Sequence, residues 1–133
     1  MLSLADDSGL EVDELNGAPG IYSARFAGPE KNYSENNIKL LTVLKNTQIE
    51  RRGAQFRCVV SIVGPDIEDF AEGIVRGKII GSMRGSAGFG YDPLFVPDGY
   101  NQTFAEQGEE LKNRISHRAK AFGAAREILE KYL

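Results

Sequence analysis

Two adjacent carboxylates, Asp6 and Asp7, follow an apolar lead-in and precede Ser8-Gly9. Carboxylate oxygen suits Mg2+, and that ion keeps several waters, so few protein ligands are needed to hold it. The pair could therefore fix a cation and a water in one place. Neighbouring side chains on a strand point to opposite faces, so only one Asp faces such a site unless a turn twists the other toward it. The plainer alternative is an acidic turn at a strand end, with Ser8 and Gly9 as turn formers.

Two further segments have chemistry to offer. In Gly88-Phe89-Gly90-Tyr91-Asp92-Pro93 an aromatic ring could stack on a nucleobase, while glycine admits a ligand close to the backbone. The alternative there is a glycine turn with an aromatic plugging the core. In Lys112-Asn113-Arg114-Ile115-Ser116-His117-Arg118, Ser116 can cap a helix. His117 and Arg118 then occupy a first helical turn, where the helix dipole disfavours a cation. A docked anion or an electron-rich ring oxygen would offset that, and His117 could donate to it. The alternative is a solvated basic face. The single cysteine, Cys58, lies in an alternating apolar stretch and reads as a buried thiol with no activating neighbour.

The elements that must position these groups can be sketched from periodicity. Residues 2–5 read as the end of a strand and Gly9–Asp13 as another short one. Asn16-Gly17-Ala18-Pro19-Gly20 is dense in turn formers. A helix over 34–46 is expected, capped by Ser34, with Ile38, Leu41 and Leu44 on its apolar face. From Ala54 to Val63 the period becomes two, with Ala54, Phe56, Cys58, Val60 and Ile62 on one face and Gln55 and Arg57 on the other. Phe70–Ile80 reads as its antiparallel partner, with Gly73 and Gly77 allowing a bend or a close backbone approach. Gly81–Gly90 is a glycine-rich loop, and Tyr91–Val96 an edge strand containing Pro93. A last helix places Ile115, Ala119, Phe122, Leu129 and Tyr132 on one face. The mixture predicts an α/β fold: a mixed α+β sheet with flanking helices.

Size and charge bound the rest. A chain of 133 residues, 41% apolar, can bury one core, so residues 1–133 are expected to form a single domain. Sixteen basic against nineteen acidic residues give a net charge of −3, which argues against a nucleic-acid polymer as partner. No stretch approaches the roughly 20 apolar residues of a bilayer-spanning helix, and the start has no leader pattern. A soluble, cytoplasmic protein is expected.

Taken in order, the segments Ala5–Asp13, Gly17–Arg25, Gly88–Pro93 and Ile115–Arg118 closely resemble the inosine/xanthosine triphosphate pyrophosphatase family, also called Ham1-like, over essentially the whole chain. The resemblance implies Mg2+-dependent hydrolysis of a deaminated purine nucleoside triphosphate (ITP, dITP or XTP) to the monophosphate and pyrophosphate. It also implies a homodimer and an elongated two-lobed α/β fold. Carried over by motif, Asp7 is the proton acceptor and a metal-associated carboxylate, with Asp6 supporting the metal-water network. Ser8 contacts the substrate. Phe89, Gly90, Tyr91 and Asp92 form the base and sugar pocket, with Phe89 stacking on the purine. Lys112, His117 and Arg118 read the oxygens of the base. Donors facing a 6-oxo group meet donors on a 6-amino group, a mismatch that can discriminate on the order of 10⁴-fold.

In ordinary members, the resemblance implies, a strand, a Ser/Thr-x-Asn-x-x-Lys element that grips the triphosphate and a helix with a metal-binding Glu precede the Asp-Asp-Ser-Gly motif. Here five residues precede Asp6, so an N-terminally truncated form of the fold is expected. Ser34-Glu35-Asn36-Asn37-Ile38-Lys39 fits the short pattern but opens an amphipathic helix after the Tyr22-Ser23-Ala24-Arg25 segment, and is assigned to that helix. The alternative to an active enzyme is a catalytically impaired nucleotide-binding or dimerising protein derived from the same family.

Overall fold

The computed structural model describes residues 2–30, 32–86, 90–108 and 116–132. Its frame follows from the alternation read in the middle of the chain. Strand β2, Gly53–Gly64, buries Ala54, Phe56, Cys58, Val60 and Ile62 on one face, as the period of two predicts. It pairs antiparallel with β3, Ile67–Ile79, which begins three residues before the expected Phe70. Strands β1 (Ser3–Val12) and β4 (Phe95–Pro97) complete a four-stranded antiparallel sheet in the order β1-β2-β3-β4.

Strand β1 corrects one expectation. The two short strands with an acidic turn between them are a single ten-residue strand that runs through Asp6-Asp7-Ser8-Gly9. Its ladder with β2 is unbroken from Ser3 opposite Val63 to Val12 opposite Ala54. Ten successive pairings override the local preference of Asp, Ser and Gly for a turn. At the other edge, the expected strand Tyr91–Val96 becomes a 3-10 turn, Asp92–Leu94, followed by the short β4. Pro93 sits inside the turn, where its fixed φ and missing N–H cost nothing.

The sheet buries one face, and its apolar residues fall into two clusters. Leu10, Val12, Phe56, Val75 and Ile79 join Leu40, Leu44, Leu94, Phe95 and Phe104 in the first. Cys58, Val60, Ile62 and Ala71 join Ala121 and Ala125 in the second. Helix α1, Tyr33–Val43, supplies Leu40 to the first cluster, with Leu44 at its end. It is capped by Asn32, whose side chain accepts from the Glu35 N–H, rather than by Ser34. Its inward face also differs from the expected one: Ile38 is exposed while Asn36 and Asn37 are buried. These amides satisfy backbone groups of neighbouring segments, so polarity is no obstacle to burying them.

Helix α2 is a single turn, Phe104–Gln107, closed by a Thr103/Glu106 capping box. Helix α3, His117–Tyr132, covers the second cluster. Ser116 caps it as expected, its Oγ accepting from the Ala119 N–H at 3.1 Å. The buried stripe runs through Ala121 and Ala125 instead of Ala119 and Phe122, and Phe122 is exposed. Ile115 lies outside the described residues. Small residues face the sheet because the helix lies very close to it: a Cβ on Gly73 would collide with the His117 carbonyl and the Ala121 N–H. Gly77 similarly leaves room for the Phe95 ring. Gly73→Ala is expected to lift α3 off the sheet and cost about 1–3 kcal/mol, read as a lower midpoint in urea unfolding.

Candidate functional site

Period-two geometry assigns the two carboxylates of β1 to opposite faces. Asp6 lies in register with Val60 and Ser8 with Cys58, so both belong to the inner face with Leu10 and Val12. Asp7, Gly9 and Glu11 belong to the outer face. Ser8 and Gly9 also line two hollows, one on each face. On the inner side, a cavity of about 120 Å3 is lined by Ser8, Gly9, Ser23, Asn36, Phe56, Gly90, Tyr91, Asp92 and His117, among others. On the outer side, a groove of about 150 Å3 is lined by Asp7, Ser8, Gly9, Glu11, Gly20, Ile21, Arg57 and Val59. A cavity of ~150 Å3 accommodates a benzene ring, so the inner hollow is of the size of a flat ring.

The inner hollow opens at the seam between the two apolar clusters. Phe56, the last residue of the first cluster along β2, stacks on His117, with ring centroids 4.9 Å apart and planes inclined by 15°. Phe56 is held in turn by the edge of Phe95 at 4.6 Å. His117, in the first turn of α3, is therefore buried in an aromatic stack rather than lying on a solvated basic face.

One wall is built around Ser23, in the 3-10 segment Gly20–Arg25. Its Oγ accepts from the Leu10 N–H at 2.9 Å and donates to the Gly20 carbonyl at 2.6 Å. Its carbonyl accepts from the Tyr91 hydroxyl at 2.6 Å. Asn36 closes the same wall, donating to the Ala24 carbonyl at 2.9 Å and accepting from the Ala27 N–H at 2.7 Å. Asn37 donates to the Gly90 carbonyl at 2.9 Å and so ties α1 to the turn that carries Tyr91 and Asp92. Lys39, the last residue of the Ser-x-Asn-x-x-Lys match, donates to the Phe26 carbonyl at 2.7 Å and sits over the Phe26 ring. Its role is local, as the helix assignment implies.

Gly90, Tyr91, Asp92, His117 and Ser8, which come from three distant parts of the chain, thus line one hollow. Arg118 stands beside them: its Nε lies 3.1 Å from Asp6 Oδ2, and its Nη2 donates to Ser8 Oγ at 3.4 Å. Asp7 is exposed on the outer face and makes no ion pair among the described residues. Phe89 and Lys112 lie outside the described residues. Ser23, Asn36 and Phe56 were not among the expected site residues, Phe56 being expected only on the apolar face of its strand. The available signal was two adjacent asparagines on the apolar side of a helix, and a serine in the segment after Pro19.

Charge on the outer face is organised across strands. Arg57 pairs with Glu72 at 2.8 Å and with Glu11 at 3.7 Å. Arg76 clasps both oxygens of Asp13 at 2.7 and 3.1 Å, and its hydrogen bonds hold that carboxyl below the usual range. On the inner side, burial pushes the Tyr91 phenol well above its usual range.

A four-stranded antiparallel sheet, helices on its buried face, and an aromatic-floored hollow that shares Ser8 and Gly9 with a groove on the other face describe a mixed α+β protein with a candidate small-ligand site at the sheet edge. The chain belongs to the Ham1 family, whose profile matches residues 1–128. It is 54% identical to the dITP/XTP pyrophosphatase of Desulforamulus reducens, over 98% of this chain and 65% of that protein. It is 52% identical to the dITP/XTP pyrophosphatase of Clostridium perfringens, over 96% of this chain and 63% of that protein. The structure of the Staphylococcus aureus Ham1 protein superposes with a TM-score of 0.94 at 46% identity, covering 99% of this chain and 68% of that one. The chain therefore spans just under two thirds of the length of these curated relatives.

The wall around Ser23 has a measurable consequence. The Tyr91 phenol is raised, so the neutral form is favoured in the folded protein. Its contribution is complete below the ordinary phenol pKa of about 10 and lost as pH rises through the folded value. In an ultraviolet titration, Tyr91 is expected to give an ionisation step above the ordinary phenol range. Tyr91→Phe removes that late step and costs about 1 kcal/mol in denaturant unfolding, through loss of the bond to the Ser23 carbonyl.

Proposed function

We propose that this chain hydrolyses deaminated purine nucleoside triphosphates, with ITP, dITP and XTP as substrates and the monophosphate and pyrophosphate as products. The observation that carries the reading is that two hollows, one on each face of the sheet, share Ser8 and Gly9 in their linings. A ring seated beside Phe56, Tyr91 and His117 leaves its phosphates to cross the edge of β1 toward Asp7. The relatives are dITP/XTP pyrophosphatases, which supports the substrate class.

The edge itself favours phosphate. The N–H groups of Leu10 and Val12 point away from β2, to Ser23 Oγ and the Ala18 carbonyl. Alternate residues of an antiparallel strand share a direction, so the Ser8 N–H faces the same edge and can donate to a phosphate oxygen. Asp7, exposed beside it, is the proton acceptor for the attacking water. On the inner side, His117 and Arg118 act with Lys112 as donors to the oxo groups of the base. Gly90, Tyr91 and Asp92, with Phe89 as stacking ring, complete the base and sugar pocket.

Mg2+ fits this donor set. The described residues hold no cluster of three or more His, Cys, Asp or Glu side chains suited to a metal. One unpaired carboxylate completed by substrate phosphates is nevertheless the kind of site Mg2+ uses. Asp7 would hold the ion, which when bound neutralises charge on the phosphates. A homodimer in the cytoplasm belongs to the same reading. The dimer draws support from the exposed Ile21, Tyr22 and Phe70.

The test is incubation of the protein with Mg2+ and ITP, XTP, GTP or ATP, with pyrophosphate and orthophosphate distinguished by phosphorus NMR. Pyrophosphate release from ITP and XTP in preference to ATP is expected, abolished by chelation of the metal. Asp7→Asn is expected to lower kcat by about 10²–10⁴-fold with little change in nucleotide binding. Nucleotide binding by the unaltered chain with no turnover would favour the impaired-binder alternative instead.

A further inference from the structure

The family resemblance implies that Asp6 supports a metal-water network centred on Asp7. The structure separates them, with Asp6 on the inner face beside Arg118 and Asp7 on the outer face. We infer that Asp6 is a positioning residue for Arg118, and through it a determinant of base selection rather than of metal binding. The inference rests on the pyrophosphatase reading above.

Three observations carry it. Arg118 stands in the first turn of α3, where the dipole repels a cation, so its guanidinium has no reason to stay there without an anionic neighbour. Asp6 supplies one, 3.1 Å from Nε. Second, Asp6 and Ser8 lie two residues apart on one face of β1, roughly 6.6 Å along the strand, and the rigid guanidinium fork touches both. That double contact fixes the plane of the fork beside Ser8, which lines the inner hollow, and leaves its other N–H groups for a ligand. Third, the pair is half-exposed, with side-chain exposures of 47% for Arg118 and 35% for Asp6. Such pairs add little to stability, so holding an orientation is the larger effect. The close approach of α3 at Gly73 fixes the backbone from which Arg118 reaches across to β1.

The test compares Asp6→Asn, Asp6→Glu, Arg118→Ala and the double variant Asp6→Asn/Arg118→Ala in steady-state hydrolysis of ITP and ATP, each with a Mg2+ titration. Asp6→Asn is expected to raise KM for ITP about fivefold and to shrink the preference for ITP over ATP by a similar factor, with a smaller effect on kcat. The Mg2+ half-saturation stays where it was. Asp6→Glu recovers part of the preference, and adding Asp6→Asn to Arg118→Ala changes nothing further. A shifted Mg2+ half-saturation, an unchanged KM, or additive effects in the double variant overturn the inference while leaving the pyrophosphatase reading intact. An unaltered chain that releases no pyrophosphate from any nucleotide brings both down. Should Asp6→Asn fail to fold, Arg118→Lys, which keeps the charge and loses the fork, is expected to show the same loss of preference; full retention of the preference refutes the role.

Discussion

Ser23 holds the site together. Its hydroxyl and carbonyl join β1, the Gly20–Arg25 segment, helix α1 and the turn bearing Tyr91 through bonds of 2.6 to 3.4 Å. β1 is an edge strand, so the Leu10 N–H has no partner strand on that side. A buried N–H left without an acceptor costs about 1–3 kcal/mol, comparable to a large share of a domain's net stability. The hydroxyl thus does for the edge what a fifth strand would do, and it does so with a segment short enough to leave the hollow open.

From that anchor the rest of the site follows by packing. The sheet buries one face under two apolar clusters, and a hollow opens where they meet. Phe56 ends one cluster and Cys58 begins the other, while the start of α3 sits over the row that Ser8, Cys58 and Gly73 form across the sheet. The seam therefore collects side chains from β1, β2, the Tyr91 turn and α3. No covalent or metal constraint among the described residues is needed to assemble them.

How much of this the sequence disclosed depended on whether a residue's environment was local. The alternation of β2 was readable because each inward residue is apolar and each outward one can be polar. The strand through Asp6-Asp7-Ser8-Gly9 was not, since those residues prefer turns and become strand only by pairing with residues 54–63. The faces of α1 and α3 were read only in part, with Leu41, Leu44 and Leu129 packed on the core as expected but Ile38 and Phe122 exposed, for a related reason. Asn36 is buried because backbone groups outside its helix satisfy it, and Ala121 faces the sheet because Gly73 on another element lets the helix approach. Gly90, Tyr91, Asp92, Ser8 and His117, singled out from separate segments of the chain, line one hollow in the fold. The carboxylate pairing of Arg118 has no signature in the chain, because Asp6 and Arg118 are 112 residues apart and meet only through the sheet.

The register of β1 against β2 has one more implication. A slip by a single residue would send Asp6 outward and Asp7 inward, exchanging the partner of the arginine with the free acid. The same slip would drive Leu10 and Val12, both fully buried, into water. Burying each is worth about 1.5–3 kcal/mol. Two aliphatic side chains with no chemistry of their own therefore proofread which acid is which. An insertion ahead of Asp6 leaves that check intact, whereas one between Ser8 and Leu10 uncouples the chemistry from the core that enforces it.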